Sequence, residues 1–306
     1  MEVKECNVEV GGRGDCILLR GFFDIHAGVR ACDIERFKRD VEDVRTTPNM
    51  YAFLGGDMCD FISPDDKRFD AKTLTPETLM ELNNLPLKMA REVIDILLPI
   101  KHKLLFGLEG NHEKTIHDKR NIDVAGFICS SLGVPCLGYT ALIRLKIGKR
   151  NENIKSAKGG NHYRRTVMLY VSHGFGSALK FGGKMNRLID CIQMIEADIY
   201  WMGHNHGKGV AMTDRLYGSS KGYEKIVAHH KVCILGGTYL KTYQRGQSGY
   251  GERKGYVPTP IGCMTLKIIP LKAVWDKNRK MAVDAPIEFS VESKTEMSDE
   301  IMEMAL

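Results

Sequence analysis

Along the chain, short apolar runs alternate with stretches whose apolar side chains recur every third or fourth residue. The runs predict buried strands and the spaced stretches predict helices, because side chains repeat every two residues along a strand and about every 3.6 along a helix. Residues 17–25 (ILLRGFFDI) predict a strand ending at Asp24 and His26. Residues 33–45 put Ile34, Phe37, Val41 and Val44 on one helical face, with Asp33 placed to cap it. A short strand at 51–54 (YAFL) stops at Gly55-Gly56-Asp57, and a polar loop, 62–73, follows. Thr75 and Pro76 make a helix start, since proline's missing N–H is no loss at the first position. That helical pattern runs to about Leu98, with Pro86 kinking or splitting it. Next come a strand at 103–106, a helix near 121–132, strands at 139–147 and 166–172, a helix at 184–197 and a strand at 198–202. From 210 onward the pattern reads mostly as short strands. Strands alternating with helices, followed by strands, predict an α/β fold. No repeat or clear linker divides the chain, so 1–306 is read as one domain, although its length alone would allow two.

Composition narrows the class. Hydrophobic residues make up 43% and charged residues 27% of the 306, enough for a sizeable core in a soluble chain. The nine cysteines are scattered and never spaced as C-x-x-C, so they predict neither a disulfide framework nor a thiolate zinc site. They fit a reducing compartment, the cytoplasm. No run approaches the ~18 apolar residues of a membrane span, and MEVKECNVEV carries no signal-peptide core. The net charge of +6 is compatible with a polyanionic partner without requiring one.

Candidate chemistry gathers where the predicted strands end. Of ten histidines, His26, His112, His173, His204 and His206 lie at strand ends or in glycine turns. Five segments follow in order: Asp24-Ile25-His26; Gly56-Asp57-Met58-Cys59-Asp60; Gly110-Asn111-His112-Glu113; Ser172-His173-Gly174; and Gly203-His204-Asn205-His206. In layered α/β proteins, strand ends form the edge at which sites assemble. Each histidine alone is more simply a structural residue; their joint placement argues for a site. By spacing, Asp24 and His26 share one face of a strand, and His204 and His206 are set alike. Gly56, Gly110 and Gly203 precede these polar residues, where a missing Cβ permits close backbone approach. The donors are nitrogen and oxygen with no thiolate, which suits manganese, iron, cobalt, nickel or zinc better than calcium or magnesium.

The ordered set resembles the calcineurin-like metallophosphoesterase superfamily. Its pattern, D-x-H, G-D-x-x-D, G-N-H-[E/D], H and G-H-x-H, is present in full over about residues 17–240. The resemblance implies a four-layer αββα sandwich of two mixed β-sheets flanked by helices. It also implies two divalent metal ions, manganese first among them. Two ions about 3.5–4 Å apart clamp the attacking and leaving oxygens of a displacement at phosphorus. By the same resemblance Asp57 bridges the ions, one carboxylate oxygen to each. Asp24, His26 and His206 complete one set, and Asn111, His173 and His204 the other. His112 is implied not as a ligand but as the group that protonates the leaving oxygen or steadies phosphoryl charge. Its carboxylate partner is Asp60, with Glu113 the alternative. A water activated by the cations is the implied nucleophile, which leaves Ser172 as a strand-end residue and Cys59 as packing.

The superfamily spans protein phosphatases, nucleotide phosphodiesterases, repair nucleases and small-molecule phosphatases, and fold does not choose among them. Asp60 is followed by Phe61-Ile62-Ser63, without the phosphate-gripping Arg of the Ser/Thr protein phosphatases, which disfavours that branch. Glu113 stands where the repair exonucleases usually have Asp. Residues 146–165 are rich in Lys and Arg, and 239–256 interleave Tyr239, Tyr243, Tyr250 and Tyr256 with Lys241, Arg245, Arg253 and Lys254. Aromatics beside a basic groove hold single strands, and Tyr243 and Arg245 are the candidate substrate-binding pair. The plain alternative is a solvated basic hairpin and a glycine-rich loop. The expectation is metal-dependent hydrolysis of a phosphoester, with nucleic-acid or nucleotide diesters ahead of small monoesters. A binding scaffold on the same fold is the third reading, although such scaffolds usually lose ligands and none is missing here.

Overall fold

The computed structural model describes residues 1–10, 15–62, 64, 66, 69–149, 164–218, 226–243, 250–253, 255–270, 273–276, 281–284 and 287–294. In chain order these form β1 (Glu2–Val10), β2 (Ile17–Phe22), α1 (Ile34–Thr46), β3 (Met50–Leu54), α2 (Pro76–Leu79), α3 (Leu85–Leu97) and β4 (Leu104–Gly107). There follow α4 (Asn111–Arg120), α5 (Val124–Leu132), β5 (Thr140–Lys149), β6 (Arg164–Ser172), α6 (Phe181–Met194), β7 (Ile199–Met202) and β8 (Lys208–Gly218). The remainder is β9 (Ile226–Thr238), α7 (Tyr250–Arg253), β10 (Gly262–Ile269), β11 (Ala273–Asp276), β12 (Met281–Asp284) and β13 (Glu288–Glu292).

The fold is mixed α/β. One large sheet runs β1-β5-β6-β7-β9-β10-β2-β3-β4, with β8 alongside β9 and β13 alongside β10. β2, β3 and β4 pair in parallel, as do β6, β7 and β9, while β5–β6 and β2–β10 are antiparallel. Two separate sheets were expected; the hydrogen bonding is instead continuous. The two halves join through β9 and β10 by just the pairs Gly262↔Thr238 and Cys263↔Gly237.

Strand alternation sorts the core into three clusters. The middle one takes Phe53 and Phe106 from one half of the sheet and Ile143, Val167 and Trp201 from the other, so both halves cover it. A second packs Phe37, Val41, Met89, Val93 and Ile128 of α1, α3 and α5 against Phe22, Ala52 and Leu54. A third packs Leu188 and Cys191 of α6 against Tyr200, Met202 and Leu235. Thus Trp201 points into the shared core while its neighbour Tyr200 points under a helix.

Caps sit where side-chain chemistry places them. Asp33 accepts the Arg36 N–H at 3.0 Å, and Thr75 accepts the Thr78 N–H at 3.3 Å. Pro86 does not kink a long helix; it stands in the first turn of α3, so the predicted helix is split. The helix expected near 121–132 is α5, and α4 precedes it unannounced, because Ile116 is its one buried apolar side chain. Beyond 210 the strands are long rather than short: β8 has 11 residues and β9 has 13, paired from Lys208↔Gly236 to Gly218↔Ile226. Their outer halves are exposed on both faces, which removes the alternation a sequence pattern needs. Among the described residues no helix is long and apolar enough to cross a membrane, and all nine cysteines are free.

A polar network lies inside the core beneath α1. Arg20 donates to the Thr265 hydroxyl at 3.0 Å and to the Asp40 carbonyl at 2.8 Å. Arg36 and the Tyr239 hydroxyl both donate to Asp40 Oδ2, at 3.1 and 2.9 Å. The Tyr239 N–H in turn donates to the Asp24 carbonyl at 3.0 Å, so this packing reaches the strand-end edge.

Candidate metal centre

Past β2 and β3 two loops run side by side. The Asp24 N–H donates to Gly56 O at 3.1 Å, His26 N–H to Asp57 O at 3.0 Å and Ala27 N–H to Met58 O at 3.1 Å. Asp24, His26 and Asp57 lie in these loops, beyond the strands, with φ of 49°, 53° and 51°. His204 and His206 follow β7 with φ of 63° and 50°. Asp and His tolerate this left-handed region better than branched residues, yet each such residue costs about 1–3 kcal/mol. Strand alternation is therefore not what brings Asp24 and His26 together; left-handed backbone past the strand does. Gly56, with φ of 90°, fits where a Cβ would lie 2.7 Å from His173 Nδ1 and 2.8 Å from Gly110 Cα. At Gly110 a Cβ would lie 2.2 Å from Asp57 Oδ1.

All the ligand candidates converge. His173 Nδ1 donates to the Gly55 carbonyl at 2.9 Å, leaving Nε2 with its lone pair 3.3 Å from Asp57 Oδ2 and 3.1 Å from Asn111 Oδ1. His204 Nε2 donates to the Gly176 carbonyl at 3.0 Å, leaving Nδ1 2.7 Å from the same Asn111 oxygen. His26 Nδ1 donates to Asp60 Oδ1 at 3.2 Å. Its Nε2 then faces His206 Nε2 at 3.2 Å, Asp57 Oδ2 at 3.9 Å and Asp24 Oδ1 at 4.0 Å. Asp24 Oδ2 accepts the His204 N–H at 2.8 Å, while Asp24 Oδ1 is buried without a hydrogen-bond partner among the described residues. With the imidazoles neutral, lone pairs thus point at lone pairs across the set. Such a set is stable only around positive charge, and the carbonyl and carboxylate acceptors that fix His173, His204 and His26 are the kind that orient metal-binding histidines. The residues fit two cations, one beside Asp24, His26 and His206 and one beside Asn111, His173 and His204, with Asp57 facing both.

Asp57 faces both through one atom. Its Oδ1 accepts the His112 N–H at 2.9 Å, so Oδ2 alone is turned to the two sets, rather than one oxygen to each. Burial opposes its charge, yet His173 and His112 hold it well below the usual carboxylate range. Burial likewise opposes charge on His173, and Asp57 and Asp24 overcome it, lifting its pKa to about 10. The field that would hold a proton there equally favours a divalent cation, which competes with that proton.

His112 stands beside the set. Its Nδ1 is held by the backbone carbonyl of Asp60, with the Asp60 carboxylate 3.8 Å away, and its Nε2 lies 4.0 Å from Asp57 Oδ2. Burial pushes the imidazole's pKa down, but Asp57 and Asp60 bring the net shift upward. Asp60 serves two rings at once, because its carboxylate also accepts from His26. Glu113 has a job that sequence reading left open. It is 1% exposed and accepts N–H groups from Asp57 at 3.0 Å, Met58 at 2.7 Å and Gly110 at 2.9 Å, tying the two ligand loops together. Burial and the Asp57 charge push Glu113 up to about 7, against the His173 charge and the Met58 N–H. Asn111 and His112 occupy the first turn of α4, which sequence reading missed for want of apolar spacing.

Other candidates lie elsewhere. Tyr243 is 46% exposed and donates to the Tyr256 carbonyl at 3.1 Å; Arg245 lies outside the described residues, as do 150–163 of the basic connection. Tyr239 is fully buried in the network under α1 and offers no stacking face. Ser172 accepts the Gly174 N–H at 3.2 Å as a strand-end residue, and Cys59 is fully buried.

The chain matches no protein-family model and no curated protein sequence. Among solved structures it is similar to Vps29 of Chaetomium thermophilum, at 12% identity and a TM-score of 0.35, over 91% of this chain and 99% of that one. It is also similar to a conserved uncharacterised protein of Streptococcus pneumoniae TIGR4 described as a predicted phosphoesterase, at 12% identity and a TM-score of 0.32, over 91% and 99% of the two chains. Overlap at these scores does not bear on the chemistry, which rests on the residues themselves.

Proposed function

We propose that this chain is a phosphoester hydrolase with a dinuclear divalent-metal centre, acting on phosphodiesters of nucleic acid or nucleotides ahead of small monoesters. The observation that carries the reading is the convergence of imidazole nitrogens, the Asn111 oxygen and two buried carboxylates, with Asp24 Oδ1 left without a hydrogen-bond partner among the described residues. Asp24, His26 and His206 would hold one cation and Asn111, His173 and His204 the other, with Asp57 facing both. When bound, the cations polarise the phosphoryl oxygens and lower the pKa of the attacking water. Manganese is the first choice, with iron, zinc, cobalt and nickel also suited to these donors. His112 protonates the leaving oxygen or steadies phosphoryl charge, held in place by the Asp60 carbonyl and the Asp57 carboxylate. Gly110 and Glu113 keep Asn111 and Asp57 in register. The shared core between the two sheet halves, with helices outside, supports reading the fold as a four-layer αββα arrangement. Nine free cysteines support a reducing, cytoplasmic setting.

The test is turnover of bis(p-nitrophenyl) phosphate, p-nitrophenyl phosphate and single-stranded DNA with added Mn²⁺, beside elemental analysis. Metal-dependent cleavage with diesters preferred is expected; a preference for p-nitrophenyl phosphate moves the reading to a monoesterase. No turnover, with fewer than two metals per chain, rejects catalysis in favour of a binding scaffold.

A further inference from the structure

The ligand set is rich in carboxylates and imidazoles and poor in fixed cations. The position after Asp60 holds Phe61, 2% exposed in the apolar core, so no cation stands at that position. Three basic side chains on the surrounding elements are engaged: Lys241 with Asp33 at 3.5 Å, Arg30 with the Leu74 carbonyl at 2.9 Å, and Lys208 with the Ile261 and Lys294 carbonyls at 3.1 and 2.8 Å.

Lys184 differs. It lies in the first turn of α6, half-buried, and its stem crosses the residue that follows His206: a Cβ at Gly207 would lie 3.2 Å from Lys184 Cδ. Its ammonium has no hydrogen bond or ion pair with any described residue. Burial lowers its pKa, and the Asp24 carboxylate pulls it back up. A half-buried ammonium without an anion is unfavourable unless an anion arrives. Gly207 has the space for this stem because it lacks a Cβ, which sets the stem beside the residue next to His206.

We propose that Lys184 is a phosphate-binding residue, its ammonium taking a non-bridging oxygen of the phosphoryl group on the Asp24–His206 side. The proposal rests on the phosphoesterase reading for its substrate but not for its test. Inorganic phosphate is titrated by calorimetry into the metal-loaded wild type and the Lys184→Met and Lys184→Arg variants. Methionine keeps the apolar stem, so the fold is preserved, and unfolding midpoints and metal content are measured alongside. Phosphate binding is expected to weaken about tenfold in Lys184→Met, the loss of one charge-assisted hydrogen bond, and to recover in Lys184→Arg. KM for bis(p-nitrophenyl) phosphate is expected to rise by a similar factor with kcat little changed. Wild-type phosphate affinity in Lys184→Met overturns the proposal whatever the turnover, and so does loss of metal from that variant. Absent turnover with the phosphate effect present removes the phosphoesterase reading and leaves Lys184 as an anion-binding residue.

Discussion

Two buried polar regions lie close together in this molecule, and they are built on opposite principles. Under α1, Asp40 is surrounded by donors: Arg36 and Tyr239 reach its Oδ2, and Arg20 reaches its carbonyl. At the strand-end edge, Asp24, Asp57, Asn111 and the facing histidine nitrogens present acceptors to one another, and Asp24 Oδ1 receives nothing. The first region neutralises itself within the chain. The second is complete only when something positive is added. The backbone agrees: five of the seven described non-glycine residues with positive φ are Asp24, His26, Asp57, His204 and His206. Burial of polar groups alone therefore does not mark a site; the direction of unmet hydrogen bonding does.

Substitutions separate the two regions by what they damage. The largest effect is expected at His112. His112→Asn should lower turnover about 10²–10⁴-fold, the usual worth of a positioned acid, while metal content and unfolding midpoint stay near wild type. Asp57→Asn, by contrast, should lose metal and turnover together. If His112→Asn empties the centre, the division between ligation and proton transfer is wrong. Next is Asp40→Asn. It removes the carboxylate that Arg36 bonds at 3.1 Å and leaves Arg20 with Asp43 alone at 3.3 Å, which should cost about 3 kcal/mol in urea unfolding. Metal content and turnover per folded molecule should be unchanged, and a loss of either would join the two regions into one.

Glu113→Gln falls between them. An amide would turn its NH₂ toward an N–H that now finds a carboxylate oxygen, so one of three backbone donors is left unmet. About 2 kcal/mol of stability should go, and metal affinity with it, because the same three bonds hold Asp57 and the Gly110 turn. Loss of stability with metal affinity intact would confine Glu113 to the fold.

The motif segments were legible in the sequence because ligand chemistry restricts residue type: few positions outside a site need Asp, Asn or His beside glycine at a strand end. The α/β class was legible for the same local reason, since Ile199, Trp201, Phe53 and Phe106 belong to short apolar runs that only a buried strand explains. What stayed hidden depends on distance along the chain. Glu113 binds N–H groups 55 and 56 residues away, and the Asp60 carbonyl holds His112 across 52. No local pattern encodes those partners. Left-handed φ at five polar residues is equally silent, because Asp and His signal turns as readily as ligands. Lys184 reads as one more solvated helix lysine until the fold lays its stem over Gly207. The joining of the two sheet halves through Gly237 and Gly262 depends on two residue pairs that no periodicity announces.

The smallest expected effect is the most discriminating, because its sign should reverse with conditions. In metal-free protein Asp24 Oδ1 has no donor and lies 3.4 Å from His206 Nε2. Asp24→Asn places an amide NH₂ at that position, able to donate to the imidazole, while the remaining oxygen still accepts the His204 N–H. The variant should therefore be more stable than wild type by about 1 kcal/mol in urea with a chelator present, the usual gain from relieving a functional conflict. With metal at about 100 times its dissociation constant, wild type gains about 2.7 kcal/mol by mass action, and the order should invert. Nothing of the kind should occur under α1, where Asp40→Asn is destabilising with or without metal. A variant less stable in chelator would mean that a proton on His206 already satisfies Asp24, and the two regions would then differ in degree and not in kind.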